Sequence, residues 1–320
     1  MTEHFVTLFD RGFLIQGLGL YHSLATSLGE NFVLWVLCLD DEVEQALLDL
    51  SLPGLRLLAL ASHETRELLA VKPGRSRAEY CWTLTPWSIQ WVFEACPAAD
   101  RVTYLDADLY FLQSPQPLLA DFAASGKEVL ITEHGYAPEC DMSRLSGKYC
   151  VQIVSFACSA SSSLLIWWRD RCLEWCYARF DNGRFGDQRY LEQFEEQASG
   201  RVYAVGPDSR LQAPWNSNVF CCSDAVVYHF HGLRWLNDSF VLLSDYKLPQ
   251  VVLNQVYLPY VDCLKRLANQ YGVDIRSQAQ RPSRCAVFLE RFKKKLVDRH
   301  FRFLIPPFYA RLKGDCWRVW

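Results

Sequence analysis

No run of about 18 uninterrupted apolar residues occurs in this chain, so no membrane-spanning helix is expected. No secretory leader is visible, because the N-terminus runs straight into a strand-like segment. No cysteine pair has the C-x2-C spacing of a zinc site, although the 320 residues include 13 cysteines. The odd count, with Cys38, Cys81 and Cys158 inside apolar runs, points to reduced, mostly buried thiols in a cytoplasmic protein. Cys172 and Cys176, spaced i, i+4, and the adjacent Cys221 and Cys222 are expected to serve core packing. A large net charge is also missing: the formal charge is −3, which argues against nucleic acid as a main partner. No internal repeat is evident, and low complexity is confined to residues 159–163, read as a loop and helix N-cap.

What is present is apolar and aromatic. Half of the chain is hydrophobic and 22% is charged, so a well-packed core is expected. Aromatic residues make up 14%, with 11 Trp, enough to fill a core and to offer flat surfaces to sugar rings or a membrane interface. Charge is unevenly placed. Residues 285–320 hold nine Lys/Arg against Glu290, Asp298 and Asp315, which leaves the rest of the chain acidic.

Strand and helix signals alternate. Residues 5–9 read as a strand, 12–28 as a helix (Leu14, Leu18, Tyr21, Leu24), and 32–39 as a strand ending in Asp40-Asp41. A short helix over 42–50, a strand over 55–60 and a helix over 78–95, interrupted early by Pro86, follow. Strands are expected over 102–106, 128–132, 149–156, 202–205 and 225–230, and helices over 161–180 and 187–194. This pattern predicts an α/β fold with a mostly parallel central sheet flanked by helices. Ligands then bind beyond the C-terminal strand ends, where Asp10, Asp40, Asp106 and Asp108 fall. The division expected is a main domain over 1–245 and a helical C-terminal extension over 246–320.

Four segments carry residues suited to chemistry. Asp106-Ala107-Asp108 ends the apolar run Val102-Thr103-Tyr104-Leu105 and can supply hard oxygen ligands to a divalent cation, with diphosphate oxygens completing the shell. In Val227-Tyr228-His229-Phe230-His231-Gly232-Leu233-Arg234, a neutral imidazole is a good third ligand beside two carboxylates. His229 and His231 share a face if the strand continues, Gly232 permits close backbone approach to a phosphate, and Arg234 can neutralise diphosphate. In Gly183-Arg184-Phe185-Gly186-Asp187-Gln188 two glycines precede a short helix whose first polar side chains can reach sugar hydroxyls or a reacting anomeric centre. In Ala213-Pro214-Trp215-Asn216, the Trp can pack under a sugar and the Asn can hydrogen-bond one.

These segments, with Arg77, Tyr80 and Thr83 ahead of them, resemble in order and kind the nucleotide-diphospho-sugar glycosyltransferases of the GT-A fold, over residues 4–240. The pattern is most similar to the retaining family 8 type, which includes glycogenin and bacterial lipopolysaccharide galactosyl- and glucosyltransferases. The resemblance implies a Rossmann-like GT-A sheet and a Mn²⁺ or Mg²⁺ ion held by Asp106, Asp108 and His229. It implies a UDP-sugar donor whose base and ribose lie against Phe9, Asp10 and Asp40, with Arg77, Gly232 and Arg234 as further donor contacts. Asp187 and Gln188 match the acidic-Gln pair beside the anomeric carbon, and Gln152, Trp215, Asn216 and His231 are the remaining substrate-binding candidates. Two departures stand out. Arg234-Trp235 replaces the family's Lys-Pro-Trp in a shortened segment, and the helix before the metal strand lacks the family's basic residue, with Arg75 and Arg77 lying earlier.

The implied reaction moves a hexose to a hydroxyl of a saccharide or lipid-linked acceptor, in surface polysaccharide or lipopolysaccharide synthesis. Retention by a front-face route, a covalent intermediate, or inversion with Asp187 or Glu133 as base all stay open. A sugar nucleotidyltransferase would want a Gly-rich basic loop after the first strand, of which Asp10-Arg11-Gly12 is a faint version. The intact Asp106, Asp108, Asp187 and His229 weigh against a non-catalytic binding module. In the tail, Phe288, Leu289, Phe292, Leu296, Phe301 and Phe303 mix with Lys293–Lys295 at roughly helical spacing. One reading is a surface helix on anionic lipid at the inner face of the plasma membrane; the other is a helix packed on the domain with a solvated charged face.

Overall fold

The apolar runs of the first hundred residues form parallel strands because helices cover both of their faces. The structure, a computed structural model, describes residues 2–158, 163–275, 308–313 and 316–319. Its elements in chain order are β1 (Glu3–Phe9), α1 (Leu14–Leu28), β2 (Phe32–Cys38), α2 (Asp41–Leu50), β3 (Leu55–Ala59), α3 (Arg66–Val71), α4 (Arg77–Ala95), β4 (Arg101–Leu105), β5 (Leu109–Phe111), α5 (Gln116–Ala124), β6 (Val129–Glu133) and α6 (Ser143–Ser146). They continue with β7 (Tyr149–Ala157), α7 (Leu164–Glu174), α8 (Phe194–Gln197), β8 (Val202–Val205), β9 (Leu211–Gln212), β10 (Val227–His229), β11 (Arg234–Trp235), β12 (Phe240–Ser244), α9 (Gln250–Val252), α10 (Leu258–Tyr271), β13 (Phe308–Lys313) and β14 (Cys316–Val319).

The expected α/β architecture is present. A seven-stranded sheet runs in the order β3-β2-β1-β4-β7-β6-β8, flanked by helices. Parallel pairings join β3, β2, β1 and β4, and β6 with β8, while β7 alone runs against its neighbours. Along β1 the side chains alternate between two cores. Phe5 and Phe9 join α1, α2 and α10, whereas Val6 and Leu8 join α4 and α7. The chain builds outward from β1 through β2 to β3, then returns to place β4 on the other side of β1. That reversal opens a crevice at the C-terminal ends of β1 and β4, where ligands bind in open α/β sheets.

Several elements differ from the sequence expectation. Helix α4 runs unbroken through Pro86, with Leu84, Thr85, Pro86, Trp87 and Ile89 all buried. A mid-helix proline costs about 3 kcal/mol, which burial of this many apolar groups outweighs, and the Ser88 hydroxyl donates to the Thr85 carbonyl at 2.7 Å within the same turn. The helix expected over 161–180 covers Leu164–Glu174, and that expected over 187–194 is a 3-10 helix, Gln188–Gln193, continued by α8. Strand β5 and helix α5 were not legible as periodic segments. Cys158 and Cys221 are exposed rather than buried, while Cys38, Cys172, Cys176 and Cys222 are buried as expected.

The C-terminal part is helical over α9 and α10, which are joined by a π-helical turn, Leu253–Tyr257. The amphipathic segment over 288–303 lies outside the described residues. Beyond it the backbone is extended: β13 and β14 form a hairpin added to β12. This sheet pairs strands from both sides of the boundary expected after residue 245. Helix α10 also shares a core with β1 and α1, and a Cβ at Gly19 would stand 2.7 Å from Leu264 Cδ2. No helix among the described residues is long and apolar enough to cross a membrane.

At the N-terminal sheet edge Arg101 donates from two guanidinium nitrogens to Glu3, and from a third to the Leu119 carbonyl at 3.2 Å. The Glu3 side chain is only 5% exposed and that of Arg101 13%. Removing one partner strands a buried charge, at a cost of about 3–5 kcal/mol. Arg101→Ala is therefore expected to lower the urea-unfolding free energy by about that amount. A loss below about 1 kcal/mol would mean that the pair behaves as a surface one.

Candidate functional site

Strand register brings the carboxylates to the histidine. Strand β4 ends at Leu105, and the Asp106 amide donates to the Gln152 carbonyl of β7 at 3.1 Å. The chain then turns, with Leu109 N bonded to the Asp106 carbonyl, into β5. Strand β10 pairs antiparallel with β5, placing His229 opposite Leu109, and Phe230 N donates to the Asp108 carbonyl at 2.9 Å. His229 Nε2 consequently lies 3.1 Å from Asp108 Oδ1 and 3.7 Å from Asp106 Oδ2. Asp108, His229 and His231 each offer a ligand atom, all within 4.8 Å of one another. The two imidazole rings share a face, 5.5 Å apart, while Phe230 between them turns away to stack on Tyr260.

The electrostatics follow from burial and proximity. Burial and Asp108 push the Asp106 carboxyl up to about 7, against the pull of His229. For Asp108 the His229 charge and hydrogen bond overcome burial and hold it at about 2. His229 is raised well above the usual histidine range, because Asp108 outweighs its burial. In the absence of a metal the cluster thus binds a proton where a cation could sit. Gln152 Oε1 lies 2.9 Å from His229 Nδ1, on the ring edge away from Asp108. Gln152 therefore positions the imidazole from behind.

Asp187 enters from a different part of the chain. It is 5% exposed and stands at the N-cap of the 3-10 helix, yet its side chain makes no capping bond. Burial first, and Asp106 second, push its carboxyl up to about 8, opposed by a hydrogen bond with Thr85 of α4. The approach depends on Gly186, whose φ is +55° and whose Cβ, if present, would lie 3.3 Å from the Trp82 ring. Trp168 Nε1 anchors the turn by donating to the Asp187 carbonyl at 3.0 Å. Gln188 Nε2 donates to the Ser146 carbonyl at 2.8 Å.

Asp10, Asp40 and Arg77 meet at the ends of β1 and β2. Arg77 bridges Asp10 and Asp40, the latter at 3.0 Å, with its own side chain 66% exposed. Asp40 also caps α2 through Val43 N at 2.8 Å and accepts from Arg11 N at 3.0 Å. Cys81, one turn along α4, feels both Asp10 and Asp187, so this cluster borders the metal-ligand cluster. Phe9 itself is buried in the core and faces α1 at Gly17.

Trp215 and Asn216 lie beneath the site. Asn216 is buried, donating to the His134 and Leu211 carbonyls and accepting from Ala213 N. The buried Trp215 donates to the His134 carbonyl at 2.8 Å and packs edge-on against His229 and His231, with ring centroids 5.3 and 5.6 Å away. Gly232 turns the chain at φ +84°, and the Arg234 guanidinium lies over the Phe13 ring at 5.6 Å.

Four neighbours were not singled out by sequence. Tyr104 donates to Asp106 Oδ1 at 3.0 Å, a contact that strand alternation could have suggested, since both lie on one face. Thr85, His134 and Cys150 carried no signal. Burial opposes ionisation of the Cys150 thiol, yet His134 and His229 bring it down to about 6. A hollow of about 390 Å³ lined by Tyr149, Leu191, Glu192 and Tyr203 lies over β6 and β8, and no residue of the carboxylate cluster lines it.

No protein-family model matches the chain. Among solved structures it is similar to mouse xyloside xylosyltransferase 1, with a TM-score of 0.47 and 14% identity over 72% of this chain and 98% of that one. It is also similar to the galactosyltransferase LgtC bound to donor and acceptor sugar analogues, with a TM-score of 0.48 and 16% identity over 72% and 87%. At these scores the likeness decides neither fold family nor activity. The uncharacterized protein YfnD of Bacillus subtilis strain 168 is 27% identical over 282 residues, 83% of this chain and 89% of the relative. The uncharacterized protein YfnF of the same strain is 30% identical over 252 residues, 73% of this chain and 82% of the relative. On that identity and coverage, the chain belongs to the same family as YfnF.

Proposed function

We propose that this protein is a metal-dependent glycosyltransferase of GT-A type, taking a hexose from a UDP-sugar and leaving it, with retained configuration, on a saccharide or lipid-linked acceptor. The observation that carries the reading is the meeting of Asp106, Asp108 and His229 with the buried Asp187 at the crevice beside β1 and β4. Surface polysaccharide or lipopolysaccharide synthesis is the setting that fits the resemblance. Cytoplasmic placement, with docking on anionic lipid through residues 285–320, belongs to the same proposal.

The donor set fits a divalent cation. Two carboxylates and an imidazole braced from behind by Gln152 are hard and borderline ligands of the kind Mn²⁺ takes. Bound there, the ion would balance the charge of a diphosphate and assist its departure. The chain's own residues do the remaining work. Arg234 stands close enough to lower the Asp108 carboxyl and adds positive charge where diphosphate oxygens would lie. Arg77, held between Asp10 and Asp40, borders the place for base and ribose. Asp187 is the group at the reacting centre. Its carboxyl titrates near working pH, so it can present either a proton or a negative charge to a sugar carbon. Gln188, tied through Nε2 to Ser146, holds its side-chain carbonyl in a fixed direction beside it.

Calorimetric titration of UDP, with and without Mn²⁺, tests the donor site. Binding is expected to need the metal and to weaken about 100-fold or more in Asp108→Ala, since losing a ligand itself costs at least the roughly 10–100-fold carried by the partners behind one. Metal-independent binding, or none with UDP, would overturn this assignment. Asp187→Asn is expected to keep UDP affinity within about threefold while lowering the transfer rate by about 10²–10⁴; an equal loss of binding would place Asp187 in the donor cradle instead.

The raised carboxyls also predict a pH dependence of the metal-free fold. Asp106 at about 7 and Asp187 at about 8 both sit above their ordinary 3.8, so the native state holds protons that the unfolded chain releases. Each of the two carboxyls therefore contributes stability that is lost as pH rises, Asp106 between about 4 and 7 and Asp187 between about 4 and 8. His229, raised above 6.5, adds the same sign in the upper part of that range. Asp108, lowered to about 2, acts oppositely below 3.8, His231, lowered to about 4, does so between 4 and 6.5, and the Cys150 thiol, brought down to about 6 from 9.0, does so between 6 and 9. Thermal melts should show the wild-type Tm falling relative to that of Asp187→Asn between pH 5 and 8, because the variant has no carboxyl to ionise there. A wild-type Tm that rises relative to that of Asp187→Asn over that range would contradict the buried-carboxyl arrangement.

A further inference from the structure

We propose that His231 is a direct ligand of the cation and that it makes the site selective for imidazole-binding first-row ions, Co²⁺ and Zn²⁺ among them, over Mg²⁺. The inference deepens the metal site of the proposed function and rests on that reading.

Four observations carry it. The ligand atoms of Asp108, His229 and His231 lie within 4.8 Å of one another. Two donors each about 2.1 Å from one ion stand about 3.0 Å apart when cis and about 4.2 Å when trans. The 3.1 Å between His229 Nε2 and Asp108 Oδ1 matches the first spacing, and the wider limit leaves His231 only a small adjustment. Second, both imidazoles are aimed. Gln152 occupies His229 Nδ1, and the Trp215 ring packs edge-on against each histidine. Third, the backbone fixes their common face. Phe230, stacked on Tyr260 with centroids 3.6 Å apart, locks the intervening residue inward, and Gly232 turns the chain immediately afterwards. Fourth, His231 is exposed where His229 is buried, so it closes the cluster on its solvent side.

Asp106 differs from this trio. Its Oδ1 accepts from the Tyr104 hydroxyl, and its Oδ2 stands 3.7 Å from His229 Nε2. His231 thus adds a second imidazole to the carboxylates of Asp106 and Asp108 and the imidazole of His229. Mg²⁺ prefers oxygen ligands and keeps its waters, whereas imidazole nitrogen strengthens binding toward the later first-row ions. A second histidine adds little for Mg²⁺ and much for Co²⁺ or Zn²⁺.

The test is metal binding by the full chain without nucleotide. Co²⁺, Zn²⁺ and Mg²⁺ are titrated separately into the wild type, His231→Ala and His231→Asp, with thermal melts to verify folding. His231→Ala should weaken Co²⁺ and Zn²⁺ by about 10–100-fold and Mg²⁺ by less than about threefold. His231→Asp should narrow the gap between Mg²⁺ and the transition ions. An equal loss for all ions, or no loss, overturns the proposal. A second measurement needs no variant: proton NMR of the Co²⁺-loaded wild type in D₂O should show paramagnetically shifted, non-exchanging ring C–H resonances from two imidazoles, and those of one imidazole alone overturn it. Failure of the transfer reading looks different. His231-dependent Co²⁺ binding without UDP binding defeats transfer and leaves this site standing, while metal-dependent UDP binding indifferent to His231→Ala does the reverse.

Discussion

The antiparallel register of β5 against β10 is the constraint on which the site depends. One backbone bond, Phe230 N to the Asp108 carbonyl, sets residues 121 positions apart at ligand distance. A slip by a single residue would turn His229 to the opposite face and bring Phe230 into the carboxylates. The register is held by apolar packing rather than by the charges themselves. Tyr228 and Phe230 are fully buried against Tyr257 and Tyr260, so the core specifies the alignment that the polar side chains then use.

Holding these groups together is unfavourable for the metal-free fold. Asp106, Asp108 and Asp187 crowd together at the crevice, and His229 and Arg234 answer them with positive charge. A buried cluster of this kind persists because the surrounding sheet over-determines it. It also has the character of a binding site, in that an added cation or ligand relieves repulsion the protein has already built in. The braces reinforce that view: Tyr104 on Asp106, Gln152 on His229 and Thr85 on Asp187 hold each group in place from separate elements.

The crevice gathers three lengths of chain with different duties. The ends of β1 and β2 contribute Asp10, Asp40 and Arg77, tied in an ion-pair cluster. The β4–β5 turn and β10 contribute the metal ligands. The glycine-flanked loop before Gln188 contributes Asp187, carried in by the positive φ of Gly186 and its close approach to Trp82. Helix α4 borders the first and third of these, which is why its unbroken course through Pro86 matters. A kink there would separate Arg77 from Thr85.

The sequence by itself determined the strand–helix alternation, the parallel half of the sheet and the segments holding Asp106, Asp108, Asp187 and His229. These are local properties: apolar period, turn glycines and carboxylates at strand ends are written in neighbouring residues. Tertiary structure alone decided which groups meet. Thr85, Cys150 and His134 sit in unremarkable stretches and join the site only because α4 and β7 pack beside β4 and the end of β6 pairs alongside β7. Asn216 and Trp215 carry polar atoms that a sequence offers to ligands, yet the fold uses them to satisfy the buried His134 carbonyl. His231, a substrate contact by sequence, lies just past the end of β10, and the turn there sets it beside Asp108 and His229. The hairpin of β13 and β14 likewise needed a partner, because a strand is stabilised by its neighbour across the ladder and not by its own residues.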